Sequence, residues 1–111
     1  MTLSTHVLDA TAGTPAEGLE VLLERDRGPD GWVPAARGRT GPDGRLRLPD
    51  DAAAEPGIYR MTFGTGAYFG ARGTRTFYPR VTVTFEVTAG GSHYHVPLLL
   101  SPFAYSTYRG S

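Results

Sequence analysis

Apolar and polar side chains alternate along most of this chain, in short runs broken by glycine and proline. The clearest run, Phe77 to Thr88, sets Val81, Val83, Phe85 and Val87 against Thr82, Thr84, Glu86 and Thr88. A period of two belongs to a strand with one face on a core and the other in water, because successive side chains leave a strand on opposite sides. Thr2 to Asp9 has the same rhythm, with Leu3, Thr5 and Val7 on one face and His6 on the other. Leu19 to Glu24 (LEVLLE) is nearly continuous in apolar character, which predicts a strand buried on both faces. Further strands are predicted over Trp32 to Arg39, Arg45 to Leu48 and Gly57 to Phe63. Ala12–Pro15, Gly28–Gly31 and Thr40–Gly44 read as turns, since proline fixes one backbone dihedral and glycine permits the left-handed one. Asp50 to Pro56 reads as loop, and the stretch TGAYFGARG between Gly64 and Gly73 is the one helical segment, too short to hold without tertiary packing.

After the turn Ala89–Ser92 comes the stretch around which the chemistry is organised, HYHVPLLLSPFAYSTYRGS. Strand alternation places Tyr94, Val96, Leu98 and Leu100 on one face and His93, His95, Pro97 and Leu99 on the other. Ser101-Pro102 turns the chain, and Phe103 to Arg109 returns as a last strand rich in aromatic residues. The terminal carboxylate of Ser111 is expected near the histidines, fixing one of them or an arginine. About eight short strands, one brief helix and no second helical pattern predict an antiparallel β-sandwich rather than alternating strands and helices.

Length and composition narrow the function. A chain of 111 residues reads as a single domain over residues 1–111, and one of this size buries roughly two thirds of its unfolded surface without staples. No cysteine is present, so disulfides, thiolate nucleophiles and cysteine-ligated zinc are excluded. MTLSTHVLDA carries neither a basic leader nor an apolar signal segment, and the longest apolar run, Val96 to Leu100, is far short of a membrane span. The expectation is a soluble, cytoplasmic protein without membrane contact. Formal charge is zero, but residues 1–55 hold six arginines against ten acids and residues 56–111 hold five arginines against one acid. Those arginines are scattered rather than striped, which argues against nucleic acid, while a basic C-terminal half favours a small anion.

All three histidines, His6, His93 and His95, fall on strand faces opposite the core positions. A single such histidine is most often a surface or structural residue. Three, sharing a face with Pro97 and Leu99, point to a covered cleft, because an apolar outer face marks a contact between subunits.

STHVLD at the start, PDGR at 42 to 45, FYPRVTVTFEV at 77 to 87, HYHVPLLLSP at 93 to 102 and the closing YRGS together resemble the 5-hydroxyisourate hydrolases, the transthyretin-related enzymes of urate breakdown. The resemblance covers nearly the whole chain. It implies a transthyretin-like sandwich of two four-stranded sheets and a homotetramer, a dimer of dimers, with active sites in the channel between dimers. It also implies the site residues: His6, Arg45 and His95 as catalytic, and His6, Arg45, Tyr108, Arg109, Gly110 and Ser111 as substrate-binding, with His93 matching the motif but without an assigned role. Two departures from the family pattern, Arg80 in place of an acid and Ala104 in place of a glycine, lie outside those residues.

The reaction implied is hydrolytic ring opening of a cyclic amide, and it calls for no cofactor and no metal. The residue types suit it. Neutral imidazole, with an ordinary pKa of about 6.5, accepts a proton from water near neutral pH. Arginine stays charged and presents a planar fork to flat ureide oxygens and to charge developing on the attacked carbonyl. Either His6 or His95 would activate the water, the other orienting or protonating the leaving nitrogen. Ser111, last on a glycine hinge, is no nucleophile. Three rival readings stand beside this one: a metal held by His6, His93 and His95; a non-catalytic transthyretin-type carrier, against which bulky Tyr108 and Arg109 would narrow the channel; and a generic adhesion or carbohydrate-binding sandwich.

Overall fold

The computed structural model describes residues 1–111 as nine strands and one α-helix, with a single 3-10 turn at Gly28–Asp30. In chain order these are β1 (Thr2–Asp9), β2 (Thr14–Pro15), β3 (Glu20–Asp26), β4 (Trp32–Arg39), β5 (Arg45–Arg47), β6 (Gly57–Phe63), α1 (Thr65–Gly70), β7 (Val81–Val87), β8 (His93–Leu100) and β9 (Tyr105–Thr107). One sheet has the order β4-β3-β6-β7, antiparallel throughout. The other runs β2-β1-β8-β9, with β5 also paired to β1.

That second sheet departs from the expected four antiparallel strands in two ways. It has five strands, because β5 and β2 share one edge of β1 end to end, β5 against Ser4–His6 and β2 against Leu8–Asp9. Thr14–Pro15, read from the sequence as pure turn, supplies the extra strand. The β1–β8 pair is also parallel, Thr2 opposite His93 through Asp9 opposite Leu100. Parallel neighbours need a long crossover, and here the whole of the other sheet lies between them in the chain.

Each sheet turns one face inward. Leu3, Val7, Leu98 and Leu100 meet Val21, Leu23, Met61, Phe63, Val81 and Val87, all fully buried. Each such side chain contributes about 1.5–3 kcal/mol relative to an exposed position. β3 is buried on one face only, since Val21 and Leu23 point inward and Leu22 is half-exposed. Its apolar run reflects composition rather than a doubly covered strand. Phe77 to Arg80 stands outside β7, because Pro79 has no N–H for a ladder and the backbone here bonds elsewhere: Phe77 N–H to the Pro102 carbonyl, Gly66 N–H to that of Pro79. β9 ends at Thr107, short of the predicted Arg109.

Helix α1 is tied to the end of β1. The Tyr68 hydroxyl donates to Asp9 Oδ2 at 2.9 Å, while Asp9 Oδ1 accepts from the Thr11 and Ala12 N–H groups. Asp9 is the one buried acid. Burial first, then the bond to Asp9, pushes the Tyr68 hydroxyl up to about 12. No helix is long and apolar enough to cross a membrane. With the inner face of β1 and β8 filled by apolar groups, Thr2, Ser4, His6, His93 and His95 are left on the outer face, where the candidate site lies.

Candidate active site

Register brings the predicted residues together. His6 pairs with Arg45 across β1 and β5, and Ser4, two residues earlier on the same face, pairs with His95 across β1 and β8. On the far side of His95 an isolated antiparallel bridge adds Gly110, whose N–H donates to the His95 carbonyl at 2.8 Å. Arg45, His6, His95 and Gly110 therefore come from four chain segments and share one face of one sheet.

Local sequence explains how Arg45 arrives there. Gly44 has a positive φ of 76° and is buried against β1, with its carbonyl accepting from the Val7 N–H at 2.8 Å. A Cβ at Gly44 would meet the Val7 carbonyl oxygen and come within 3.0 Å of Pro15 Cβ, so only glycine fits. The Asp43 carboxylate closes the turn by accepting from the Arg45 N–H at 3.0 Å, and the Asp43 carbonyl accepts from His6 Nε2 at 2.8 Å. Because a carbonyl only accepts, His6 carries a proton on Nε2, and when neutral it presents Nδ1 as its bare nitrogen. Arg45 makes no ion pair, whereas Arg47 on the same strand is paired with Asp50 at 2.9 Å. Arg45 thus keeps an uncompensated charge over the site.

His95 is half-buried, and its Nδ1 lies 2.8 Å from Ser4 Oγ. Its pKa falls below the ordinary histidine value, chiefly through burial and then through the positive neighbours Arg45, His6 and His93. The ring is accordingly neutral at physiological pH and available as a base. His93, one step along the register, is exposed and hydrogen-bonded through Nδ1 to Thr2.

The C-terminal residues divide. Tyr108 and Arg109 line a cleft of about 340 Å³ with His95, Tyr94 and the β7 residues Val83 to Glu86. The Arg109 guanidinium lies 4.8 Å from the Tyr94 ring centre, with one N–H directed at the His93 carbonyl at 3.4 Å. Gly110 is packed beneath His95. Ser111 is exposed, and its carboxylate has no ion-pair partner within the chain, so the expected tether is made instead by the Gly110 N–H. No three His, Asp or Glu side chains converge closely enough to hold a metal ion.

Two participants were not foreseen from the sequence: Ser4, beside the Nδ1 of His95, and the Asp43 carbonyl that holds His6. Ser4 shares a strand face with His6, which is a weak signal. Its partner on β8 depends on the register of a parallel pair, which the local pattern does not encode.

A two-sheet sandwich with one short helix is the architecture of transthyretin-like proteins. The HIUase/Transthyretin family model matches residues 3–110, and this chain belongs to that family. It is 48% identical over 110 residues to a 5-hydroxyisourate hydrolase of Salmonella dublin, covering 98% of this chain and 80% of that protein. The structure of Klebsiella pneumoniae 5-hydroxyisourate hydrolase superposes with a TM-score of 0.87 at 39% identity over the full length of both chains. Sea bream transthyretin in complex with thyroxine superposes with a TM-score of 0.91 at 34% identity, covering 97% of this chain and 93% of that one.

Proposed function

We propose that this protein hydrolyses 5-hydroxyisourate, opening its cyclic amide to give 2-oxo-4-hydroxy-4-carboxy-5-ureidoimidazoline in urate breakdown toward allantoin, and that His6, Arg45 and His95 carry the reaction. The observation that supports this most is the shared face on which unpaired Arg45 stands beside His6 while neutral His95 stands one strand away.

In this reading His95 takes a proton from water as the water oxygen bonds to the amide carbon. Negative charge builds on the carbonyl oxygen, where Arg45 stabilises it. The carbon–nitrogen bond then breaks, and His95 returns the proton to the leaving nitrogen, leaving a carboxyl group on the product. His6, held through Nε2 by the Asp43 carbonyl, orients the attacking water. Tyr108, in the cleft wall beside His95, bounds the ureide, and Gly110 keeps the His95 ring in place, whereas Arg109 stacks on the inward-facing Tyr94, away from His6 and Arg45.

A homotetramer, a dimer of dimers in the cytoplasm, completes the proposal. Its support is the apolar surface that a single chain leaves open: Phe77 at 72% exposure, Phe103 at 67% and Tyr108 at 60%. Transthyretin's likeness in fold raises the carrier reading, against which the unpaired Arg45 beside His6 and His95 on the outer face counts.

The test is ultraviolet decay of 5-hydroxyisourate freshly made by urate oxidase, with and without the protein. Faster decay that disappears in His6→Ala, Arg45→Ala and His95→Ala is the expected result. No acceleration by the folded tetramer with a free C-terminus would favour the carrier.

A further inference from the structure

The β1–β8 register sets hydroxyls against imidazoles on the outer face. Thr2 stands opposite His93 and Ser4 opposite His95, each pair 91 residues apart in the chain and each hydrogen-bonded through ring Nδ1. The next outward position breaks the pattern, because His6 stands opposite Pro97. Ser4 is half-buried, and its hydroxyl has His95 as its one side-chain partner. Both residues sit on paired strands rather than on loops, so the ladder fixes the contact.

Around the His95 ring the edges are assigned. The Cδ2 edge lies over Gly110, the Nδ1 edge meets Ser4, whose main chain as well as its hydroxyl bonds the ring, and Nε2 has no side-chain partner. If Nε2 is to receive a proton from water, neutral His95 must carry its own proton on Nδ1. Free histidine prefers the opposite tautomer, with the proton on Nε2, so a partner at Nδ1 has to reverse that preference. A serine hydroxyl can accept as well as donate. We propose that Ser4 is a positioning residue for hydrolysis: its Oγ accepts from His95 Nδ1–H, holding the ring in the tautomer whose bare Nε2 faces the reacting water. This rests on the assignment of His95 as the base.

The full-length protein carrying ¹⁵N-labelled histidine tests it without substrate. At a pH above the titration of His95, the native ring is expected to be protonated at Nδ1, and Ser4→Ala is expected to move it toward the Nε2–H form. Turnover in Ser4→Ala should fall about tenfold with KM within about twofold, a part of the 10²–10⁴ that a positioned base supplies. Ser4→Thr, which keeps the hydroxyl, should restore both tautomer and kcat. Thr2→Val, which removes the neighbouring hydroxyl, should leave kcat unchanged. A native His95 protonated at Nε2, an unshifted tautomer in Ser4→Ala, a Ser4→Thr as slow as Ser4→Ala, or an equal loss in Thr2→Val would each overturn the proposal. A native protein inert toward 5-hydroxyisourate would instead overturn the hydrolase reading, and the nitrogen shifts would still report on Ser4.

Discussion

Gly110 lies across a backbone bridge from His95, and a methyl group at Gly110 would collide with the His95 imidazole at Cδ2 and press within 3.1 Å of both its Cγ and Pro97 Cγ. The absence of a side chain there is thus a condition for the ring's position. Gly110→Ala is expected to cut kcat by about 10- to 100-fold, since a displacement of about 1 Å in a catalytic group costs on that order. The substitution lies outside the apolar core, so the thermal midpoint should stay within a few degrees. A fully active Gly110→Ala would show that the ring tolerates displacement.

His95 titrates below the ordinary value, which fixes the sign of two pH effects. Protonation removes the proposed base, so kcat/KM should fall on acidification with a midpoint below about 6.5. Between that midpoint and the ordinary value the unfolded chain binds the proton and the folded chain does not. The contribution of His95 to stability is therefore complete above the ordinary value and is lost as pH falls through the folded one. Burial leads the shift and Arg45 follows, ahead of His6 and His93. Arg45→Gln is expected to raise the His95 pKa, measured by NMR titration, by more than His93→Asn does. The reverse order would mean that Arg45 points away from the ring.

How far the sequence exposed this arrangement differs residue by residue. Alternation alone placed His6, His93 and His95 outside and Leu3, Val7, Leu98 and Leu100 inside, because a two-residue period needs no tertiary information. The bounds of β1, β4 and β6 lay between glycine and proline signals or at clear changes of pattern, whereas α1 stops at Gly70, short of the expected Gly73. Parallel pairing of β1 with β8 was not legible, since it joins segments at opposite ends of the chain. Nor was the pairing of Ser4 with His95, which follows from it. Arg45, His95 and the YRGS end were singled out through family motifs, and their convergence required the bridge at Gly110 and the left-handed Gly44.

Tyr68 and Asp9 offer a check on the frame away from the chemistry. Tyr68→Phe removes the donor to Asp9 Oδ2 and leaves that oxygen of a buried carboxylate without its partner. The expected loss is about 1–3 kcal/mol in urea unfolding, the cost of an unsatisfied buried polar group. Turnover per folded molecule should be unchanged, because neither residue reaches the outer face. A Tyr68→Phe variant as stable as the parent would mean that water replaces the hydroxyl at Asp9.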